Sequence, residues 1–114
     1  MPTVELIYDS DCPKVPRARE NLLRAFGQEG LAPHWQEWDR ADKNAPRYVH
    51  AWGSPTVLVN GKDVAGLDAT DAACCRIYTN GQGEKQGVPP VTLIAAALTT
   101  TANPGRFKNG AIPL

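Results

Sequence analysis

The chain has 114 residues, with twelve basic and twelve acidic side chains and a formal net charge of zero. That balance speaks against nucleic acid or an anionic membrane as the main partner. The length fits one domain, and a hydrophobic fraction of 42% with 21% charged residues is that of an ordinary globular protein.

No apolar run approaches the roughly 18 residues of a membrane-spanning helix. The first residues lack the basic flank and long apolar region of a secretion signal. The expectation is a soluble cytoplasmic protein, in a compartment that keeps thiols reduced. Three cysteines, Cys12, Cys74 and Cys75, are an odd count and do not form a purely structural disulfide framework.

Val4 to Tyr8 reads as a strand, with Val4, Leu6 and Tyr8 on one face and Ile7 on the other. Apolar residues on both faces suit a central strand covered on both sides. Asp9-Ser10-Asp11 is turn chemistry and offers capping oxygens. Cys12 follows, then a helical spacing of Val15, Ala18, Leu22, Ala25 and Phe26. Pro13 and Pro16 crowd the start of this helix, so regular turns are expected from near Pro16, with Cys12 in the entry loop. Gly27 or Gly30 ends it.

Pro33 to Asp39 is too polar for a strand buried on both faces and is placed at a sheet edge; Trp35 and Trp38 cannot share one of its faces. Asn44 and Pro46 open a short helix whose inner stripe is Tyr48, Val49 and Trp52. Ser54-Pro55 leads into the strand Thr56 to Val59. Asn60-Gly61 is a hairpin signal, and Lys62 to Ala65 is the returning strand. Gly66 to Val88 reads as a long irregular segment holding Asp68, Asp71, Cys74 and Cys75, with a helical turn around Asp71 to Tyr78. Pro89-Pro90 opens a last helix with Val91, Ile94, Ala95 and Leu98 on one face. The domain is read as 1–98 and a flexible tail as 99–114.

A strand–helix–strand unit implies parallel pairing, and the Asn60-Gly61 turn adds an antiparallel pair. The expected fold is α/β, a four-stranded mixed sheet with helices on both faces. In this order of elements the chain resembles the thioredoxin and glutaredoxin fold, and it is similar to small bacterial thioredoxin-like proteins. Cys12-Pro13 stands where that family carries its reactive cysteine, and Ser54-Pro55 where it carries a cis-proline.

The resemblance implies that Cys12 is a nucleophile, and that Pro13, Ser54 and Pro55 border the substrate, whose backbone lies beside Pro55. It also implies a protein or low-molecular-weight thiol or disulfide as partner, with glutathione as a candidate co-substrate and no resident cofactor. The family's second cysteine would stand at position 15, where this chain has Val15. A local dithiol cycle is therefore closed to it. The chemistry is that of one thiol, or Cys74 or Cys75 resolves Cys12. Adjacent α-carbons lie about 3.8 Å apart, below the roughly 4.4–6.8 Å of a relaxed disulfide, so a Cys74–Cys75 bridge is not expected. The alternative reading is a non-catalytic module in which Cys12, Cys74 and Cys75 hold a soft metal or metalloid. His34 and His50 would be its only histidine additions.

Overall fold

The computed structural model describes residues 2–66, 77–79 and 83–102. Its centre is β1 (Val4–Tyr8), flanked by β2 (Gln36–Asp39) on one side and β3 (Thr56–Val59) on the other. Outside β3 lies β4 (Lys62–Asp63), giving the sheet order β2-β1-β3-β4. The β1–β2 pair is parallel; β1–β3 and β3–β4 are antiparallel. The four-stranded mixed sheet is therefore the expected one. Asn60 and Gly61 both take positive φ, 51° and 81°, as the tight turn from β3 to β4 requires. The returning strand is shorter than expected: it pairs only at Lys62 and Asp63. The Ser54–Pro55 peptide bond is cis.

Helix α1 (Val15–Gln28) has Pro16 in its first turn, where a missing N–H costs nothing. It buries Val15, Ala18, Leu22, Ala25 and Phe26 on one stripe. Of the two candidate terminators, Gly30 ends it. Gly30 takes φ 68°, the Gly30 amide donates to the Gly27 carbonyl, and the Leu31 amide donates to the Phe26 carbonyl. This is the pair of bonds that closes a helix through a left-handed glycine. Helix α2 (Val91–Ala102) follows Pro89-Pro90. It runs four residues beyond Leu98, so Thr99 belongs to the helix and not to a tail; the Thr99 hydroxyl bonds the Ala95 carbonyl at 3.0 Å. The remainder of the expected tail, residues 103–114, lies outside the described residues.

Both α-helices pack on the same face of the sheet. Leu22, Phe26, Ile94 and Leu98 meet Val4, Leu6, Val57 and Val59 there. Asn21, buried in α1, donates to the Pro89 carbonyl at 2.9 Å and ties the two helices together. The other face carries Ile7 and Leu58, covered by Ala45, Val49 and Trp52. Its cover is a 3-10 helix, Arg47–Ala51, rather than an α-helix. The expectation of helices on both faces is corrected to this extent. Five residues with Pro46 immediately before them are too few for regular α-turns. Tyr48 also leaves the expected inner stripe: its ring is 44% exposed. Trp35 stacks on Phe26 at 6.0 Å between ring centres, and Trp38 packs against the opposite cluster, so the two indoles do divide between the two faces.

The segment read as irregular contains a hairpin. Tyr78-Thr79 (β5) pairs antiparallel with Lys85-Gln86 (β6) as a separate two-stranded sheet. Tyr78 is thus in a strand, not at the end of a helical turn.

Candidate functional site

The site is built at the end of β1. The chain leaves Tyr8 and turns at once: the Cys12 amide donates to the Asp9 carbonyl at 2.9 Å. The Val15 amide reaches back to the Cys12 carbonyl at 3.4 Å, and the Ala18 amide bonds Lys14 at 3.1 Å. Cys12 is therefore held in the last turn before α1, with Lys14 as the residue that caps the helix start. The thiol residue is 6% exposed.

Asp9 stands directly behind this turn. Its carboxylate accepts from Arg40 at 3.0 and 2.8 Å, and both side chains are largely buried. The Arg40 amide also bonds the Tyr8 carbonyl at 2.8 Å, which fixes the guanidinium beside the strand end. The negative charge at Asp9 is thereby offset by Arg40.

The Asp9 amide donates to Ser54 Oγ at 3.0 Å, so the Ser54-Pro55 segment lies against the same strand end. Ser54 and Pro55 are fully buried. The Tyr78 hydroxyl, from β5, donates to the Pro55 carbonyl. In this structure that carbonyl is taken by the chain's own hairpin. The surface left open beside Cys12 runs instead along the hairpin's second strand.

That opening is a cleft of about 320 Å³. Cys12, Pro13 and Lys14 form one wall; Ile77, Lys85, Gln86 and Gly87 form the other. Ile77 is 67% exposed, an uncommon state for a large apolar side chain, and faces this opening. The sequence had marked Cys12 and Pro13. It did not mark Ile77, Tyr78 or Lys85, because the strands that carry them are only two residues long; Asn80-Gly81, which stands between those strands in the sequence, is the signal that could have found the hairpin.

Cys74 and Cys75 lie outside the described residues, as do Asp68 and Asp71. The resolving role and the three-thiolate metal reading fall there with them. Among the described residues no group of three histidine, cysteine or acidic side chains converges. His50 Nδ1 is engaged with the Arg40 carbonyl at 2.9 Å. No helix among the described residues is long and apolar enough to cross a membrane.

Two further polar clusters lie on β1 and β2. The buried Glu5 carboxylate accepts from Trp38 Nε1 at 2.8 Å and from the Tyr48 hydroxyl. Desolvation of the hydroxyl, and then the adjoining carboxylate, push the Tyr48 phenol up to about 12. On the helical face Arg19 donates to Glu37 through two nitrogens, at 2.9 and 2.8 Å, and Trp35 Nε1 joins at 3.0 Å. The Arg19 hydrogen bonds hold the Glu37 carboxyl below its usual range. Both clusters are structural: each ties β2 or the 3-10 helix to the central strand or α1. Comparison of the chain with protein-family models, with curated proteins and with solved structures finds no match.

Proposed function

We propose that the protein is a thioredoxin-like thiol protein that exchanges disulfides through Cys12. The observation that carries this reading is the placement of Cys12: it lies in the turn between the central strand and α1, on the wall of an open cleft. The sheet order β2-β1-β3-β4, with one parallel and two antiparallel pairs, supports the fold assignment. So does the packing of both α-helices on one face.

The chemistry follows from a single thiol. The Cys12 thiolate attacks one sulfur of a small or protein-borne disulfide. A bond forms between Cys12 and that half, and the other half leaves as a thiolate. Val15 stands where a neighbouring cysteine would have released the adduct. Release therefore needs a second thiol from solution, or Cys74 or Cys75. A solution thiol attacks the ligand-derived sulfur, restores the Cys12 thiolate and leaves as a new disulfide; Cys74 or Cys75 would instead attack the Cys12 sulfur, expel the bound half as a thiolate and leave a protein disulfide that two solution thiols then reduce, so electrons balance without a cofactor.

The test is a Cys12→Ser variant beside the native protein, each treated with hydroxyethyl disulfide and mapped by mass. Native protein is expected to carry a mixed disulfide at Cys12 that a small thiol reverses. The Ser variant should carry none at this position. A Cys12 that reacts only after unfolding would make it a core thiol and end the proposal.

A further inference from the structure

The polar groups of Asp9 are all engaged, each with a different segment. Its carbonyl accepts the Cys12 amide at 2.9 Å. Its amide donates to Ser54 Oγ at 3.0 Å. Its carboxylate accepts from Arg40 Nη1 at 3.0 and 2.8 Å. The bond from Cys12 to Asp9 closes a tight turn, which holds their α-carbons within roughly 7 Å of each other. Asp9 therefore ties the Cys12 turn to the entry of β3 and to the end of β2.

Arg40 is itself tethered. Its amide donates to the Tyr8 carbonyl at 2.8 Å, and its own carbonyl lies 2.9 Å from His50 Nδ1 on the 3-10 helix. The Arg40 and Asp9 side chains are each only 19% exposed. At that depth a carboxylate left without its cation is costly, and its field is weakly screened. The other charged groups around the turn are open to solvent. Asp11 lies within the turn, Lys14 at the start of α1 and Lys85 across the cleft, and all are exposed. The shielded charge beside Cys12 is thus the Asp9 carboxylate, and a cation 31 positions away offsets it.

Resting on the reading of Cys12 as the exchanging thiol, we propose that Arg40 is a positioning residue for that reaction. It acts through Asp9 in two ways. The guanidinium anchors the turn that carries Cys12. It also cancels a negative charge that would otherwise repel a negative sulfur and any anionic reagent approaching it. At about 7 Å, one uncompensated charge changes the local concentration of an anion by about tenfold after screening.

Two alkylating reagents of nearly equal size read this charge: iodoacetamide, which is neutral, and iodoacetate, which is anionic. Each bonds its carbon to the Cys12 sulfur and releases iodide. Both require the thiolate, so the ratio of their rates reports the local charge and not the thiolate fraction. Rates at Cys12 are followed by site-resolved mass spectrometry at low salt, in the native protein and in variants. Arg40→Met should lower the acetate-to-amide ratio by about tenfold. Asp9→Asn, which leaves the guanidinium in place, should raise it. An Asp9→Asn, Arg40→Met double variant should return it to within about twofold of native. Arg40→Lys keeps the charge and should keep the ratio. Asp11, Lys14 and Lys85 are the same in every protein compared, so they drop out. A purely structural Arg40 would change both rates alike and leave the ratio in place, which overturns the proposal. So does an Asp9→Asn ratio equal to native. If Arg40→Met does not fold, Asp9→Asn and the double variant decide.

Hydroxyethyl disulfide, applied to the same proteins, distinguishes the two failures. If the ratios move as stated but native Cys12 exchanges no disulfide, the exchange reading falls and the coupling of Arg40 to Cys12 stands. If native Cys12 exchanges and the ratios do not move, the reading stands and the role of Arg40 falls. A folded protein whose Cys12 resists every reagent ends both.

Discussion

Glu5 is the residue that sequence patterning treats worst. It sits in the middle of the central strand, 5% exposed, between Val4 and Leu6. A buried carboxylate is costly unless its oxygens are satisfied. Here Trp38 and Tyr48 supply the donors. Tyr48 is therefore not a failed core residue: the ring lies at the surface and the hydroxyl reaches inward. Its phenol is raised to about 12, above the roughly 10 of a free tyrosine. A raised pKa in the folded state means that the proton is held more tightly there than in the unfolded chain. The stability linked to it is complete below pH ~10 and is lost as pH climbs through about 12. Chemical denaturation between pH 9 and 12 should show that decline, and Tyr48→Phe should flatten it. The Phe variant should also be less stable by about 1–3 kcal/mol at pH 7, having taken a donor from a buried acceptor. An unchanged alkaline decline in Tyr48→Phe would assign the loss to other groups.

The β5–β6 hairpin is the element on which the site depends most, and its strands are very short. Two residues per strand do not make a stable hairpin in water. Its anchor is Tyr78, 2% exposed, whose hydroxyl donates to the Pro55 carbonyl. That bond joins the hairpin to the end of the main sheet, and the hairpin in turn supplies one wall of the cleft over Cys12. Tyr78→Phe keeps the ring and removes the bond, at a cost of about 1–3 kcal/mol for the stranded carbonyl. The expected signature is local. Hydrogen exchange at 77–79 and 84–87 should speed up by about tenfold, while β1 and β3 keep their protection. Uniform acceleration across the sheet would mean that Tyr78 is an ordinary core residue; no change anywhere would mean that the bond is not formed in solution.

The molecule has two cores of unequal weight, one on each face of a single sheet. The larger is assembled from both α-helices and is centred on Phe26 and Leu22, both fully buried. Phe26 stacks against Trp35 just outside β2, so it joins α1 to the sheet edge as well as to its centre. Phe26→Ala should cost about 3–5 kcal/mol. Against a total stability of about 5–15 kcal/mol for a typical domain, that leaves a marginal fold. Urea titration followed by tryptophan fluorescence measures it, since Trp35 loses its stacking partner in the same step. A cost under about 1 kcal/mol would mean that the helix repacks and that the stack contributes little.

The strands Val4 to Tyr8 and Thr56 to Val59, helix α1, the Asn60-Gly61 turn and the edge position of Trp38 were all legible in the residues. Each rests on a local rule: alternation, a 3.6-residue stripe, or two residues that accept positive φ. Cys12 was legible for the same reason, as a thiol at a strand-to-helix turn. What sequence alone could not supply comes from contacts between distant segments. Tyr78 finds Pro55 across 23 positions, and Lys85 and Gly87 come to face Lys14 only when the hairpin has docked. The 3-10 geometry of Arg47–Ala51 likewise answers to tertiary demands, with Val49 turned to the sheet and Tyr48 to Glu5. Local periodicity reports which backbone a segment prefers. It carries no information about which remote carbonyl or carboxylate a side chain will satisfy, and in this protein those long-range pairings decide where the cleft opens and which charges line it.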